Sequence, residues 1–131
     1  LEDKGGWLYR QTAYAFEDYV DKITQALGES VFSYATFNEP FCSAYLGYEI
    51  GVHAPGRTDR KYGRTAAHHI LLAHGLGMKV LRKNVPNSEA GIVLNFTPCY
   101  PATQKTEDLL ATRKADDYIN QWYMQPVMEG S

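Results

Sequence analysis

Three stretches of the chain carry the hydrophobic spacing of amphipathic helices, with apolar positions three and four residues apart. They cover residues 12–27, 65–83 and 107–125, and Gly28 follows the first stretch as a typical helix end. The second stretch is apolar around most of its circumference, so we expect it to be well buried. The apolar positions are Phe16, Tyr19, Val20, Ile23 and Leu27; Ala66, Ala67, Ile70, Leu71, Leu72, Ala73, Leu76, Met78, Val80 and Leu81; and Leu110, Tyr118, Ile119, Trp122 and Tyr123.

Two shorter apolar runs predict β-strands. Residues 31–37 are rich in β-branched and aromatic side chains on both alternating faces, as in a strand that is covered on both sides, and Pro40 follows them. Residues 91–97 form a similar run that ends at Pro98. Because a helix long enough to cross over separates the two runs, the order helix, strand, helix, strand, helix predicts parallel strands of an α/β protein.

Two parallel strands with covered faces would leave an unpaired edge on each side of the sheet, which folded proteins avoid. We therefore expect residues 1–131 to be one piece of a larger sheet or barrel. The chain begins Leu1-Glu2-Asp3-Lys4 rather than with Met and an apolar leader, which is typical of an internal excerpt or a processed end.

Composition excludes several classes of protein. The 131 residues include 13 Lys plus Arg and 15 Asp plus Glu, a formal net charge of -2, so nucleic acid is not expected as a partner. A hydrophobic content of 44% is that of a globular domain. The chain has no apolar run of about 18 residues, so no membrane span is predicted. With no leader visible, the cytoplasm is the expected location.

Cysteines and histidines give no pattern of a metal or cofactor site. Cys42 and Cys99 are too few for a disulfide framework, and we interpret them as free thiols, with a single bridge as the alternative. His68, His69 and His74 do not share a helix face, and no His-Glu-x-x-His motif is present. We predict no metal and no cofactor, and we interpret these histidines as packing against helices or strands.

Candidate chemistry lies at the predicted strand ends, where parallel α/β folds gather their reactive groups. Asn38 and Glu39 follow the first strand. Residues 41–64 show no clear periodicity and are far longer than the usual connection of about two to six residues, which indicates a binding loop. Asn95 and residues 98–101 lie at the end of the second strand.

Glu39 is the sharpest candidate for catalysis. It lies between Phe37 and Phe41 in sequence, with no cationic neighbour. Desolvation there would favour the protonated carboxylic acid, which could then act as a general acid. A glutamate beside a proline at a strand end is also a common loop or capping residue, so position alone leaves both interpretations open.

The clearest motifs of the chain are residues 36–42 (TFNEPFC), 47–48 (GY) and 51–56 (GVHAPG). In this order they resemble the middle of a glycoside hydrolase family 1 β-glucosidase. The sequence Asn-Glu-Pro alone is shared by several families of barrel glycosidases, but the order and spacing of the whole set is specific. The supporting motifs are residues 5–8 (GGWL), 67–75 (AHHILLAHG), 91–95 (GIVLN) and 115–117 (ADD).

The resemblance implies a (β/α)8 TIM barrel that hydrolyses β-linked glucosides and galactosides with retention. This chain would supply about strands 4 and 5 with helices 3 to 5. Glu39 matches the general acid/base carboxylate of the family, and Asn38 matches the asparagine that binds the 2-hydroxyl of the sugar. At Phe41 the family more often has Trp. The positions that match the aglycone side of the pocket are Phe41, Cys42, Leu46, His53 and Asn95.

The catalytic nucleophile of the family has no counterpart in this sequence. A retaining enzyme needs a second carboxylate about 5–5.5 Å from the first, and the family carries it in a Thr-Glu-Asn-Gly type motif that residues 1–131 lack. The expected function is a segment of a β-glucosidase of carbohydrate metabolism, whose partners are a β-glucoside and the remaining barrel segments or other copies of the chain. The alternative is a non-catalytic barrel fragment that oligomerises and has no activity of its own.

Overall fold

The computed structural model describes residues 1–130, and the chain divides into two compact units, Leu1–Val93 and Leu94–Ser131. The first unit contains two α-helices, two strands, a π-helical turn and three short 3-10 helices (Glu2–Lys4, Gly6–Leu8 and Gly28–Ser30), and the second contains two α-helices joined by a shorter π-helical turn. The elements are α1 (Gln11–Leu27), β1 (Ser33–Asn38), the first π-helical turn (Cys42–Glu49), α2 (Arg60–Asn84), β2 (Glu89–Val93), α3 (Thr106–Asp116), the second π-helical turn (Asp117–Gln121) and α4 (Trp122–Glu129). That residues 1–131 belong to one catalytic domain stays a prediction.

The core of the first unit lies between α1 and α2. Four buried side chains, Val20, Met78, Leu81 and Val85, form a cluster there. Gly77 lets the two helices come close, because a Cβ atom at this position would lie 3.1 Å from a ring carbon of Phe16. The predicted first helix and this core are confirmed. Two of the predicted apolar positions are nevertheless exposed, Tyr19 at 58% and Leu27 at 47%.

Helix α2 is the longest element and begins five residues earlier than the hydrophobic pattern predicts. Asp59 caps it, since its Oδ1 atom accepts the backbone N–H of Lys61 at 2.7 Å. The first turn of the helix is polar and solvent-exposed, so hydrophobic spacing alone could not reveal it. Among residues 1–130, no helix has both the length and the apolar character needed to cross a membrane.

The strands β1 and β2 pair in parallel, as predicted. Ser33 lies opposite Glu89 and Asn38 opposite Val93, with an irregularity in the register between them. The prediction that the second strand covers residues 91–97 is wrong, because the strand ends at Val93. Asn38 is the last residue of β1, so the residues after Val93 have no strand beside them in the described part of the chain.

The prediction of a loop over residues 41–64 is also wrong in part. Cys42–Glu49 forms a π-helical turn, and α2 already includes the last residues of the predicted loop. Hydrogen bonds of a π-helix join residues five apart, so its apolar side chains do not follow the spacing of an α-helix. The irregular part of the connection is therefore confined to residues 50–59.

The third predicted helix is interrupted and longer than expected. The second π-helical turn separates α3 from α4, and α4 continues to Glu129 with Pro126 inside it. Of the predicted inner-face residues, Tyr123 is buried, whereas Leu110 is 52% exposed and Trp122 is 40% exposed. The spacing of an α-helix correctly predicts that Tyr123 is buried. The π-helical turn changes the helical period between α3 and α4, so that the predicted inner face does not run through both helices.

Candidate active site

The backbone of Glu39 is fixed at the carboxyl end of β1. Its N–H donates to the carbonyl of Val93 at 2.8 Å, and its carbonyl accepts the N–H of Cys42 at 2.9 Å. Its φ angle is +50°, and no other non-glycine residue within 1–130 has a positive φ. Such a conformation costs about 1–3 kcal/mol and persists where the surrounding structure enforces it. The parallel strand pair thus presents Glu39 in one defined position.

The side chain of Glu39 contacts a thiol. Cys42 Sγ donates to Glu39 Oε2 at 3.2 Å, and both residues are half-buried. Burial, together with the hydrogen bond and the charge of Glu39, raises the pKa of the Cys42 thiol above its ordinary value. The thiol therefore stays protonated at neutral pH and is the donor of this hydrogen bond. Cys42 and Cys99 are both free, as predicted.

The aromatic rings next to Glu39 in sequence pack against other aromatic rings. Phe37 stacks on Phe16 with ring centroids 4.4 Å apart and meets Trp7 edge-on at 5.6 Å. Phe41 stacks on Tyr45 within the first π-helical turn, with centroids 4.7 Å apart. These stacks hold the strand end and the π-helical turn in place on either side of Glu39.

A cleft of about 470 Å³ opens beside this strand end in the first unit. Two of the predicted site residues, Cys42 and His53, line it, whereas Glu39 is not among the lining residues and hydrogen-bonds one of them, Cys42. Asn38, Phe41 and Leu46 lie outside the lining. The lining residues are Leu1, Glu2, Gly6, Trp7, Thr12, Cys42, Ser43, Tyr48, His53, Ala54 and Pro55.

Tyr48 fixes one wall of the cleft, a role that the sequence did not indicate. It is 3% exposed, and its hydroxyl accepts the N–H of Trp7 at 3.1 Å and donates to Glu2 Oε2 at 2.9 Å. Burial raises the pKa of the Tyr48 hydroxyl, so it stays a neutral donor. A side chain at Gly6 would collide with both Glu2 and Tyr48, which explains why glycine occupies this position.

His53 and Leu46 are joined through the backbone. The N–H of His53 donates to the carbonyl of Leu46 at 3.0 Å, which ties the irregular segment to the first π-helical turn. Gly47 allows this close approach, because a Cβ atom there would lie 2.7 Å from the carbonyl oxygen of Ala54. The side chain of His53 is exposed and lines the cleft.

In the second unit, a buried amide anchors the segment that carries Asn95. Asn120 is 6% exposed; its Oδ1 accepts the N–H of Thr97 at 3.0 Å, and its Nδ2 donates to the carbonyl of Thr97 at 2.9 Å. Asp116 Oδ1 accepts from the same Nδ2 at 2.7 Å, and hydrogen bonds from Asn120 and then Gln121 lower the pKa of Asp116. Sequence reasoning missed this cluster, although the spacing of Asp116 and Asn120 on one helix face was a signal for it.

Of the α2 histidines, His74 contacts strand β1, as predicted, and His69 contacts the backbone of Trp7, whereas His68 is exposed. Thr36 Oγ1 donates to the Gly91 carbonyl at 3.1 Å and lies 2.8 Å from His74 Nδ1. Burial, and then the charge of Arg82, lowers the pKa of His74. His69 Nδ1 donates to the carbonyl of Trp7 at 2.8 Å. Within residues 1–130, no three His, Cys, Asp or Glu side chains come together as a metal site.

Comparison with known proteins decides the family. The profile described as "Glycosyl hydrolase family 1" matches residues 1–131, the whole chain.

The chain belongs to glycosyl hydrolase family 1.

Relatives within this family are named as β-glucosidases. The chain is 40% identical over 130 residues to a protein of Agrobacterium sp. named "Beta-glucosidase", and the match covers 99% of this chain and 28% of that protein. It is 38% identical over 130 residues to "Beta-glucosidase A" of Acetivibrio thermocellus, with coverage of 99% and 29%. The chain therefore spans less than a third of the length of these relatives.

Solved structures of the family superpose closely on the chain. A β-glucosidase from Exiguobacterium marinum gives a TM-score of 0.94 at 39% identity and covers 99% of this chain and 30% of its own. The virulence factor SghA from Agrobacterium tumefaciens gives 0.96 at 37% identity, with coverage of 100% and 29%. The same protein has been solved with its substrate analog salicin, at a TM-score of 0.95 and 36% identity, with coverage of 98% and 28%.

The predicted fold class is thereby confirmed. Family 1 β-glucosidases are (β/α)8 TIM barrels, and this chain is part of such a barrel. Strands β1 and β2 correspond to about strands 4 and 5, and the helices correspond to helices 3 to 5. In a closed barrel, every strand pairs with a neighbour on both of its edges.

Proposed function

We propose that Glu39 is the general acid/base of a retaining β-glucosidase to which this family 1 chain contributes. The observation that carries the proposal is the backbone of Glu39, which is held at the carboxyl end of β1 by hydrogen bonds to Val93 and Cys42 with a φ of +50°. Catalytic groups of (β/α)8 barrels lie at this end of the strands. The β-glucosidase relatives support the same reaction class.

The proposed reaction has two displacement steps. In the first, the Glu39 carboxylic acid gives its proton to the glycosidic oxygen as the bond to the sugar breaks, and a second carboxylate forms a bond to the anomeric carbon. In the second, the Glu39 carboxylate takes a proton from water, whose oxygen attacks the anomeric carbon and releases the second carboxylate. We infer that the second carboxylate belongs to a later barrel strand, since the motif that carries it in the family is absent from residues 1–131.

The remaining predicted site residues would bind the substrate. Asn38, the last residue of β1, is exposed and would hydrogen-bond the 2-hydroxyl of the sugar, a contact that strengthens in the transition state. We propose that the residues matching the aglycone side contact the leaving group, and the presence of Cys42 and His53 in the cleft supports this for two of them. The others are Phe41, Leu46 and Asn95.

A β-glucoside is the proposed substrate. The solved complex of SghA with its substrate analog salicin, at 36% identity to this chain, supports glucoside binding. The proposed place in carbohydrate metabolism follows from this substrate. The cytoplasmic location stays a prediction from the sequence.

The replacement Glu39→Gln in the complete barrel protein tests the proposal. Glutamine keeps the volume of the side chain but cannot give a proton, so kcat should fall by about 10²- to 10⁴-fold on glucosides with basic leaving groups. Aryl glucosides with acidic leaving groups need less protonation and should lose less in the bond-breaking step. The control is Glu89→Gln, the same change at the opposite end of the two-stranded sheet.

Equal losses on both substrate classes in the bond-breaking step would contradict an acid role for Glu39. In that case Glu39 would only position the substrate, and the proposed function would fail.

A second proposal concerns the 131-residue chain on its own, which we expect to associate or to fold poorly and to hydrolyse no β-glucoside. Several large apolar side chains are exposed in it, including Phe32 at 77%, Tyr100 at 84% and Met128 at 77%. Such surfaces favour association with the remaining barrel segments or with other copies of the chain. Light scattering and an aryl-glucoside assay test this, with Glu39→Ala as the control. A stable monomer that turns over substrate faster than this control would overturn it.

A further inference from the structure

The hydrogen bond between Cys42 and Glu39 gives this cysteine a contact with the proposed acid/base itself. Its Sγ atom lies 3.2 Å from Glu39 Oε2 and also borders the cleft. A residue that only lined the aglycone side would not need to face the carboxylate. Cys99, the other free thiol, donates instead to the backbone carbonyl of Thr97 at 3.4 Å.

The backbone sets the distance between the thiol and the carboxylate. The N–H of Cys42 closes a four-residue turn by donating to the carbonyl of Glu39 at 2.9 Å. Pro40, inside this turn, is fully buried, and its ring restricts the backbone. The N–H of Glu39 is tied to Val93, so the turn is anchored to the sheet as well. Both side chains therefore start from backbone positions that are fixed relative to each other.

We propose that Cys42 is a positioning residue that holds the carboxyl group of Glu39 by its Oε2 atom and directs Oε1 to the substrate. The inference rests on the proposed acid/base role of Glu39. A thiol has one proton, so it holds one carboxylate oxygen and leaves the other for proton exchange.

A thiol suits a group that must gain and lose a proton in each turnover. A strong donor would stabilise the carboxylate and hinder its reprotonation. The S–H group is a weak donor and the sulfur a weak acceptor, so Cys42 can contact both the carboxylate and the carboxylic acid. Its raised pKa keeps its own proton in place, and the proton given to the glycosidic oxygen comes from Glu39.

The test compares Cys42→Ala and Cys42→Ser in the complete barrel protein, with Cys99→Ser as the matched control. The alanine variant should lower kcat by about 3- to 10-fold on glucosides with basic leaving groups, the effect of one lost hydrogen bond, with KM changed less than about twofold. The loss should be smaller on activated aryl glucosides. Cys99→Ser should leave both constants near those of the unmodified protein.

The dependence of kcat on the leaving group gives a second readout. The loss in Cys42→Ala should grow as the leaving group becomes more basic, because bond breaking then depends more on a well-placed acid. Cys42→Ser keeps a hydrogen-bond donor at this position and should recover part of the loss. A loss that does not depend on the leaving group, or a change in KM alone, would overturn the inference. Thermal melting of each variant identifies any loss that is due to misfolding.

A double-mutant cycle separates this inference from the proposed function. In the Glu39→Gln background, Cys42→Ala should change kcat by less than about twofold, because the group that it positions no longer transfers a proton. A full effect of Cys42→Ala in that background would overturn the positioning role alone. If Glu39→Gln does not separate the two substrate classes, the proposed function fails instead.

Discussion

The two units of the chain are stabilised in different ways. In Leu1–Val93, α1 and α2 bury an apolar cluster that includes Val20 and Leu81. In chain order, β1 comes after α1 and β2 comes after α2. In the second unit, α3 has no buried residue, and the segment after Val93 is anchored by the side-chain amide of Asn120. Hydrophobic burial thus holds the two helices of the first unit together, whereas directional hydrogen bonds hold the segment that carries Asn95.

The largest expected effect comes from breaking the apolar core of the first unit. Leu81 is 2% exposed, so Leu81→Ala should lower the free energy of unfolding of the complete barrel protein by about 2–5 kcal/mol. Lys79→Ala, at an exposed position on the same helix, should change it by less than about 0.5 kcal/mol. Denaturant unfolding measures both. Similar effects for the two variants would contradict the packing between α1 and α2.

A smaller effect is expected in the second unit. The variant Asn120→Ala removes both hydrogen bonds to Thr97 and should destabilise the protein by about 1–3 kcal/mol. If Asn95 binds the leaving group, KM should rise more than kcat falls, because the segment that carries Asn95 loses its anchor. Gln121→Ala is the control, since Gln121 contacts Asp116 but not Thr97. A variant with unchanged stability and KM would show that the amide anchors nothing.

The smallest effect concerns pH and His74. Its pKa is lowered in the folded chain, mainly by burial, so the neutral imidazole is favoured there relative to the unfolded chain. The stability linked to His74 is therefore present above the unfolded pKa of about 6.5 and is lost as pH falls below it. In His74→Gln, unfolding free energies measured between about pH 5 and 7 should vary less with pH. An equally steep loss in the variant would assign the dependence to other groups.

The sequence predicted the parts of the fold that follow a regular hydrophobic period. Helix α1, the parallel strand pair and the position of Glu39 at a strand end follow from spacing and from the turn residues beside them. Hydrophobic spacing did not reveal the first π-helical turn, whose period differs from that of an α-helix, or the polar start of α2 at Arg60. The second strand ends earlier than predicted, at Val93, which lies opposite Asn38, the last residue of β1.

The candidate site was predicted as a set of residues but not as a network. Resemblance identified Glu39 and Cys42 separately, and only the structure showed the hydrogen bond between them. The roles of Tyr48 and Asn120 depend on partners 41 and 23 residues away in sequence, a kind of contact that no local pattern contains. Motifs therefore locate the chemistry, while long-range contacts explain how each group is held.

The central claim is that Glu39 is the acid/base, and the most direct test is rescue of Glu39→Ala by azide in the complete barrel protein. With an activated aryl glucoside, the first displacement needs little acid help, and hydrolysis of the glucosyl-enzyme becomes slow without a base. Azide is an anion and needs no base. We expect added azide to raise turnover and to give β-glucosyl azide, the product of two inversions. Failure of azide to raise turnover, or an α-glucosyl azide product, would contradict the assignment.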